Sequence, residues 1–178
     1  MTPAVVLVGP PGAGKTTVAA LLAGRLDLAV RDTDVDIETT AGAEVAEIFV
    51  DHGEPHFREL ERAAVARAVA EHDGIVALGG GAVLDPRTRA LLQGQPVVFL
   101  DVGVSEAAAR VGLSTPRPLL LGNVRARLKS LLDERRPHYV EVAASTVPTD
   151  GLTPEQVADA VLAVLPTLPT PSEAGNGT

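Results

Sequence analysis

The stretch GPPGAGKT occupies Gly9–Thr16 and determines how the rest of the chain is interpreted. It matches the pattern G-x-x-x-x-G-K-[ST] and lies between an apolar run, Ala4–Val8, and a helix-forming segment, Lys15–Leu26. Glycines at these positions let backbone N–H groups turn around a phosphate at a helix N-terminus, where the helix dipole favours anions. Lys15 is placed to reach the β- and γ-phosphates, and the Thr16 hydroxyl is placed to bind Mg²⁺. The stretch therefore predicts a nucleoside-triphosphate site.

Strand and helix patterns alternate from this stretch to the end of the chain. The candidate strands are short apolar runs bounded by Gly, Asp or Pro, as expected for parallel strands buried on both faces: Ala4–Val8, Leu28–Asp32, Ile75–Leu78, Pro96–Asp101 and Ala144–Val147. The helix-forming segments are Lys15–Leu26, Asp34–Thr40, Ala43–His52, Glu54–His72, Pro86–Leu92, Ser105–Arg110, Val124–Arg135 and Pro154–Leu165. This alternation predicts an α/β fold with a five-stranded parallel sheet.

Length and composition limit the class of protein further. The chain has 178 residues, of which 46% are hydrophobic and 2% aromatic, which suits one domain with an aliphatic core. The net charge of −8 and the scarcity of aromatic side chains argue against a nucleic-acid-binding surface. Without cysteine there is no disulfide, thiolate nucleophile or Cys-based zinc site. The sequence shows no secretory signal and no apolar run near the roughly 20 residues that span a bilayer, so we expect a cytoplasmic chain.

Other motifs narrow the class of nucleotide-binding protein. A GTPase would need the base-reading motif N-K-x-D, and the chain contains no Asn-Lys pair. An ATPase motor would need a long apolar strand that ends in Asp-Glu, whereas Val97–Asp101 is followed by Val-Gly. These absences favour a small-molecule kinase.

Two carboxylates, Asp32 and Asp34, follow the second predicted strand at the edge of the sheet where α/β proteins bind ligands. One of them can organise Mg²⁺ through water, and the other can accept a proton from an attacking hydroxyl. The alternative is that Asp34 only caps the following helix. We favour the functional interpretation.

A run of three glycines, Gly79–Gly81, follows the third predicted strand and predicts a close approach of backbone to ligand.

Arg58 and Glu61 are spaced i, i+3 on a predicted helix and therefore share a face. This spacing alone favours an ordinary surface ion pair.

Basic residues collect between Arg110 and Arg136, where seven basic side chains stand against two acidic ones. Such a segment suggests a small anionic ligand or a solvated helix face. Within it, the Gly and Pro residues of 111–124 predict a long mobile loop, a lid, from which Arg117 can close over the γ-phosphate. Residues 166–178 are rich in Pro, Gly, Ser and Thr and predict a disordered tail after a single domain of residues 1–165.

Six motifs in order resemble those of shikimate kinases, which belong to the nucleoside-monophosphate-kinase-like group of P-loop folds. They are G-x-P-G-A-G-K-T at Gly9–Thr16, D-T-D at Asp32–Asp34, I-x-x-x-x-G-E-x-x-F-R-x-x-E at Ile48–Glu61, L-G-G-G-A-V at Leu78–Val83, R-P-L-L at Arg117–Leu120 and R-x-P-x-Y at Arg135–Tyr139. The resemblance extends from about Val5 to Leu165. It implies a three-layer α/β/α P-loop kinase with a mobile lid, usually monomeric, that phosphorylates the 3-hydroxyl of shikimate with ATP.

The resemblance also implies which residues bind each ligand. The ATP-binding positions are Gly12, Ala13, Gly14, Lys15, Thr16, Thr17, Arg110, Arg117 and Pro154. The substrate-binding positions are Asp34, Arg58, Glu61, Gly79, Gly80, Gly81 and Arg135. For Mg²⁺ the implied ligands are Thr16 directly and Asp32 through water.

Individual roles follow from the same resemblance. Lys15 would bind the γ-phosphate, Asp34 would orient or deprotonate the attacking hydroxyl, and Arg117 would reach the phosphates from the lid. Arg58 and Arg135 would clamp the shikimate carboxylate, with Glu61 positioning Arg58 rather than forming a mere surface pair.

Two positions depart from the family pattern. The neighbouring Arg135 and Arg136 leave the register of R-x-P-x-Y open by one residue. The loop before Pro154, residues 150–153, offers no Arg, so adenine would be held by backbone and Arg110.

Three alternatives remain at this point. Gluconate also carries a carboxylate and hydroxyls, so a gluconate kinase would use the same side chains. A nucleoside monophosphate kinase is disfavoured because aromatic residues for a base pocket are scarce. An inactive nucleotide-binding regulator would not need the acceptor-side residues.

Overall fold

Five parallel strands form one sheet in the part of the chain that the computed structural model describes, residues 1–113 and 121–169. The strands are β1 (Val5–Val8), β2 (Val30–Asp32), β3 (Ile75–Ala77), β4 (Val97–Asp101) and β5 (Ser145–Pro148). Their order across the sheet is β2-β3-β1-β4-β5. The loop after the central strand β1 therefore opens at the middle of the carboxyl edge, where parallel sheets bind ligands.

Within the same residues, seven helices connect the strands: α1 (Lys15–Leu26), α2 (Thr33–Ala41), α3 (Val45–Glu71), α4 (Pro86–Leu92), α5 (Val104–Leu113), α6 (Leu121–Val142) and α7 (Pro154–Val164). Short 3₁₀ turns follow at Ala82–Leu84 and Leu165–Thr167. None of these described helices is long and apolar enough to cross a membrane.

Alternate side chains of β1 enter two separate cores. Val5 and Leu7 pack with residues of α1 and α7, whereas Val6 and Val8 pack with residues of α3 and α6. Successive side chains of a strand point to opposite faces of the sheet, so a helical layer lies on each side. The α/β fold with a five-stranded parallel sheet is confirmed, as is the three-layer arrangement that the resemblance implied.

The two edge strands differ from the expectation that every strand is buried on both faces. Strand β2 begins at Val30 rather than Leu28, and Val30 is 41% exposed. Strand β5 ends at Pro148, and proline has no N–H to donate to a neighbouring strand, which suits an edge position. The expectation was wrong for these two strands because an edge strand has no partner on its outer side.

Helix α3 joins two segments that the sequence predicted as separate helices. Gly53 lies inside it with φ 81° and ψ 168°, which is not helical, and Pro55 follows. The predicted break is therefore present as a kink.

Helix α6 is longer than predicted, because it continues past Pro137 to Val142 although the prediction ended it at Arg135. Burial of Tyr139 and Val142 in the core outweighs the hydrogen bond that the proline cannot donate.

The described residues include both ends of the predicted lid and the start of the predicted tail, and these parts are helical or form a turn. Helix α5 extends to Leu113 and helix α6 begins at Leu121, so both ends of the predicted loop 111–124 are helical. Arg117 lies outside the described residues. The tail was predicted to begin at residue 166, but Leu165–Thr167 form a 3₁₀ turn and Leu168 is buried against the α1 and α7 core. Residues 170–178 lie outside the described part of the chain.

Candidate active site

The loop between β1 and α1 forms one wall of a cavity of about 270 Å³ at the carboxyl edge of the sheet. Gly12 and Gly14 have φ values of 81° and 90°, a region that favours glycine, and Gly14 caps the N-terminus of α1. The amide of Ala13 donates to the carbonyl of Pro10 over 3.1 Å and closes the turn. Thr16 lines the cavity, together with Asp32, Asp34 and two glycines of the run after β3.

The Lys15 ammonium lies inside this loop. Its Nζ donates to the carbonyl oxygens of Gly9 and Pro10 over 2.6 and 3.1 Å. Loss of hydration lowers the pKa of Lys15 to about 8, although the nearby Asp34 and Asp32 carboxylates act in the opposite direction. An anion in the cavity would favour the charged form, so this lysine is suited to bind phosphate.

Asp32 and Asp34 have different structural tasks. Asp32 ends β2 and is the N-cap of α2, where its Oδ1 accepts from the Asp34 amide over 2.9 Å. The alternative that Asp34 caps this helix is therefore wrong. The Asp34 side chain lies within the first turn of α2 and lines the cavity. Its pKa is raised by burial and by the neighbouring Asp32 carboxylate, while Lys15 partly offsets the shift.

Each glycine of Gly79–Gly81 lies against a charged side chain. A β-carbon on Gly79 would come within 2.6 Å of Asp34 Oδ1 and 3.0 Å of Glu61 Oε1. On Gly80 it would lie 3.4 Å from Arg135 Nη1, and on Gly81 it would collide with the Arg58 guanidinium. A side chain at Gly79 or Gly81 would displace these charged groups, and the run brings four of the predicted substrate-binding side chains to one place.

Arg58 and Glu61 form a largely buried pair. Arg58 Nη1 donates to Glu61 Oε2 over 2.6 Å, and Glu61 is only 3% exposed. Burial raises the pKa of Glu61, and the Arg58 charge counteracts part of that rise. The interpretation as an ordinary surface ion pair, which spacing alone favoured, is thus wrong.

Three further side chains contact Arg58, and none of them was among the predicted site residues. Glu54 Oε1 accepts from Arg58 Nη2 over 3.2 Å, a pair spaced i, i+4 that the sequence could have indicated. The Arg58 Cζ lies 5.4 Å from the ring centroid of Phe57 and 5.9 Å from that of Phe49. These distances are typical of a cation–π contact, which sequence spacing does not reveal.

The adjacent arginines of α6 face different surroundings. Arg135 lies beside Gly80, and its Nε is buried without a hydrogen-bond partner among the described residues. Arg136 forms an ion pair with Asp101 at the end of β4, and its Cζ lies 5.8 Å from the Phe99 ring centroid. Of the two arginines, only Arg135 therefore lies on the side of the cavity, and its buried Nε is available to donate a hydrogen bond to a ligand.

Arg110 connects the loop after β1 with the loop before α7. Its Nη1 donates to the Gly12 carbonyl over 2.9 Å, and its Nη2 donates to Glu106 Oε2 over 2.8 Å. Glu106 Oε1 in turn accepts from the Gly151 amide over 2.5 Å. Glu106 was not among the predicted site residues, although its i, i+4 spacing from Arg110 could have indicated this contact.

The remaining predicted nucleotide-binding residues have fewer contacts. Pro154 is the first residue of α7, directly after the loop that Arg110 and Glu106 contact. Thr17 is exposed in the first turn of α1.

The chain matches a known protein family over most of its length. The family model of shikimate kinases matches residues 11–166. The shikimate kinase of Saccharopolyspora erythraea is 59% identical over 163 residues, which cover 91% of this chain and 93% of the relative. That of Salinispora arenicola is 58% identical over 165 residues, which cover 93% and 99% of the two chains.

Solved structures give a matching result. The shikimate kinase from Acinetobacter baumannii in complex with shikimate has a TM-score of 0.84 and 34% identity, covering 94% of each chain. That from Bacteroides thetaiotaomicron also reaches 0.84, at 26% identity over 93% and 98% of the two chains. A gluconokinase from Sinorhizobium meliloti has a TM-score of 0.60 at 19% identity, a likeness of fold alone.

Proposed function

This chain belongs to the shikimate kinase family, and we propose that it transfers the γ-phosphoryl group of ATP to the 3-hydroxyl of shikimate. One observation carries the assignment of the acceptor site. Asp34, Glu61, Arg58 and Arg135 all lie against Gly79–Gly81, beside the cavity that the phosphate-binding loop forms. A carboxylate-bearing polyol fits such a set, because arginines bind a carboxylate while an aspartate accepts from hydroxyls.

The nucleotide occupies the loop between β1 and α1 in this proposal. Backbone amides of Gly12–Thr17 surround the phosphates at the N-terminus of α1, and the Lys15 ammonium moves from the carbonyls of Gly9 and Pro10 to the γ-phosphate. Arg110 and the backbone before Pro154 flank adenine, since residues 150–153 supply no arginine.

Asp34 is the group nearest to the acceptor chemistry. Its carboxylate orients the 3-hydroxyl and takes its proton, while the hydroxyl oxygen bonds to the γ-phosphorus. The bond from that phosphorus to the β–γ bridging oxygen breaks, and ADP leaves with the electron pair. Burial and the Asp32 charge raise the pKa of Asp34, so it is a stronger base than an exposed aspartate. Transfer is direct, without a phosphoenzyme, and depends on positioning and cationic stabilisation.

The residues at the cavity fit a Mg²⁺ ion that accompanies the nucleotide. The Thr16 hydroxyl and the Asp32 carboxylate line the same cavity, and both are the hard oxygen donors that Mg²⁺ prefers. Thr16 would bind the ion directly and Asp32 through water. When bound, Mg²⁺ neutralises phosphate charge and keeps the β- and γ-phosphates in place. Arg117, on the segment between α5 and α6, would add positive charge to the phosphates from the lid.

We expect the enzyme to act as a monomer in the cytoplasm.

Gluconate is a weaker candidate for the acceptor. Both acids carry a carboxylate, but the relatives at 58–59% identity over nearly the whole chain are shikimate kinases, whereas the gluconokinase shares only the fold. An inactive regulator is also disfavoured, because a nucleotide binder has no need for the buried pair of Arg58 and Glu61.

The function is tested by ADP release with Mg-ATP, with shikimate, gluconate and nucleoside monophosphates offered in parallel. We expect release with shikimate alone. Release with another acceptor and none with shikimate would leave the phosphate-binding loop in place but reject the acceptor assignment. Nucleotide binding without release for any acceptor would favour the regulator.

The register of the carboxylate clamp gives a separate prediction. Arg135→Ala should raise the KM for shikimate about a hundredfold, since hydrogen bonds to charged groups contribute about 1.5–3 kcal/mol each. Arg136→Ala should change the KM less than about threefold, because the Arg136 side chain is 54% exposed and pairs with Asp101 instead of lying beside the glycine run. Steady-state kinetics on both variants measure the two KM values. A larger increase for Arg136→Ala would show that Arg136, and not Arg135, binds the carboxylate.

A further inference from the structure

Two buried hydroxyl groups hold Gly79–Gly81 from different elements. Thr33 Oγ1 accepts from the Gly79 amide over 3.2 Å and donates to the Ala77 carbonyl over 3.4 Å. The Tyr139 hydroxyl donates to the Gly80 carbonyl over 2.5 Å. Both side chains are fully buried. The proposed transfer reaction gives neither hydroxyl a role.

The Tyr139 ring is itself fixed in place. It stacks on Phe99 of β4 with ring centroids 5.0 Å apart, and burial raises the pKa of Tyr139 to about 12, so its hydroxyl is a proton donor at any physiological pH. Tyr139 lies one helical turn after Arg135, so the two side chains share a face of α6. The same helix segment thus bonds to the Gly80 carbonyl through the Tyr139 hydroxyl and places the Arg135 Nη1 3.4 Å from the position that a β-carbon on Gly80 would take.

We propose that Thr33 and Tyr139 are positioning residues that hold the backbone of Gly79–Gly81, and through Tyr139 also Arg135, in the arrangement that binds the acceptor. The proposal rests on the proposed function, because it assumes that shikimate meets this backbone. Three consecutive glycines have more conformational freedom than other tripeptides, so an unrestrained run would lose that freedom when the acceptor binds. Restraint before binding removes this cost from the affinity.

The direction of one peptide group follows from the Tyr139 contact. The structure contains no cis peptide bond among the described residues, so the Gly81 N–H points opposite to the Gly80 carbonyl. When Tyr139 holds that carbonyl, it also sets the direction of the next amide. Thr33 does the same at the start of the run by accepting from the Gly79 amide. The amides of Ala82 and Leu84 donate to the Gly79 and Gly81 carbonyls, so the two hydroxyls hold the Gly79 amide and the Gly80 carbonyl, which these backbone bonds do not reach.

Tyr139→Phe is the direct test, because phenylalanine keeps the ring and its stacking on Phe99. We expect the KM for shikimate to rise about tenfold, the equivalent of losing about 1.4 kcal/mol, while the KM for ATP stays within about twofold. Val140→Ala changes the next residue of α6, whose side chain is 53% exposed, and is the matched control. Equal changes in both KM values, or a lower melting temperature with unchanged KM values, would indicate a purely structural role and overturn the proposal.

Thr33 provides an independent test at the other end of the run. Thr33→Ser keeps the hydroxyl and should retain the wild-type KM for shikimate, whereas Thr33→Val removes it at nearly constant volume and should raise that KM. Equal KM values in the two variants would overturn the role of Thr33. In a double-mutant cycle of Tyr139→Phe with Arg135→Lys, the changes in KM for shikimate should be non-additive if Tyr139 acts through Arg135. Additive changes would show that Tyr139 does not act through Arg135 and would overturn that part of the proposal.

The outcomes also separate this inference from the function on which it rests. A wild-type enzyme that releases no ADP with shikimate overturns both. A wild-type enzyme that is active, combined with a Tyr139→Phe variant of unchanged kinetics, overturns the positioning role alone.

Discussion

Replacing Lys15 with alanine is expected to reduce kcat/KM by about a thousandfold and to weaken ATP binding at the same time. In the free protein the ammonium is held by the carbonyls of Gly9 and Pro10, so it is already inside the phosphate-binding loop. Loss of a pre-positioned donor to a developing charge typically costs about 10²–10³ in rate, and loss of ground-state phosphate binding adds to this. Steady-state kinetics measure the loss in kcat/KM, and titration with a non-hydrolysable ATP analogue measures the loss in ATP affinity.

The chain supplies a matched control for this variant. Its second lysine, Lys129, pairs with Asp133 over 2.6 Å on the surface of α6, where both side chains are well exposed. Lys129→Ala removes the same charge and should leave the kinetics unchanged. Equal kinetics for the two variants would reject the phosphate-loop assignment.

The Lys15 variant should also remain folded. Because the pKa of Lys15 is lowered to about 8 in the folded protein, holding the charge there at neutral pH is unfavourable relative to the unfolded chain. Removing the side chain removes this penalty, so the melting temperature at pH 7 should not fall. The penalty fades as the pH rises above 8 and Lys15 loses its proton in the folded state.

Asp34→Asn is expected to lower kcat at least about a hundredfold while leaving ATP affinity nearly intact. The amide has the shape of the carboxyl group but cannot take a proton from the acceptor. Asp36→Asn, on the same helix, is the matched control, because Asp36 pairs with Arg31 instead of lining the cavity. A kcat within about threefold of wild type would exclude Asp34 from proton transfer.

The pH profile adds a second measurement on the same residue. Since burial and Asp32 raise the pKa of Asp34, its carboxylate is lost as the pH falls through a value above the usual aspartate range. The rate of the wild type should therefore fall on the acid side at a higher pH than an ordinary aspartate would give. The amide that Asp34→Asn introduces does not titrate, so that acid limb should be absent from the variant.

Much of the fold followed from local patterns. The glycines and Lys15 of the phosphate-binding loop form a contiguous motif, and its position between a strand and a helix was confirmed. The break at Gly53 was also visible, since glycine followed closely by Pro55 is a strong local signal. The end of α6 could not be predicted from the sequence, because a proline such as Pro137 normally ends a helix. This helix continues because Tyr139 and Val142, which follow the proline, are buried in the core.

The site was harder to predict where packing decides. An i, i+3 spacing gives the same pattern for a surface pair and for the buried pair of Arg58 and Glu61, and only the resemblance to the family favoured the second. Adjacent helical residues such as Arg135 and Arg136 point about 100° apart, so a one-residue uncertainty in sequence becomes a choice between different sides of the helix. The contacts of Arg136 with Asp101 and Phe99 distinguish them, and both partners come from a distant strand.

The buried Tyr139 has a practical consequence for spectroscopy. The chain contains one tyrosine and no tryptophan, so its near-ultraviolet absorption and intrinsic fluorescence originate mainly from this single ring. That ring stacks on Phe99 and its hydroxyl contacts Gly80, within the glycine run that faces the acceptor side chains. The protein thus carries a native optical reporter at one defined position, and emission changes on adding an acceptor can be attributed to this ring without any introduced label.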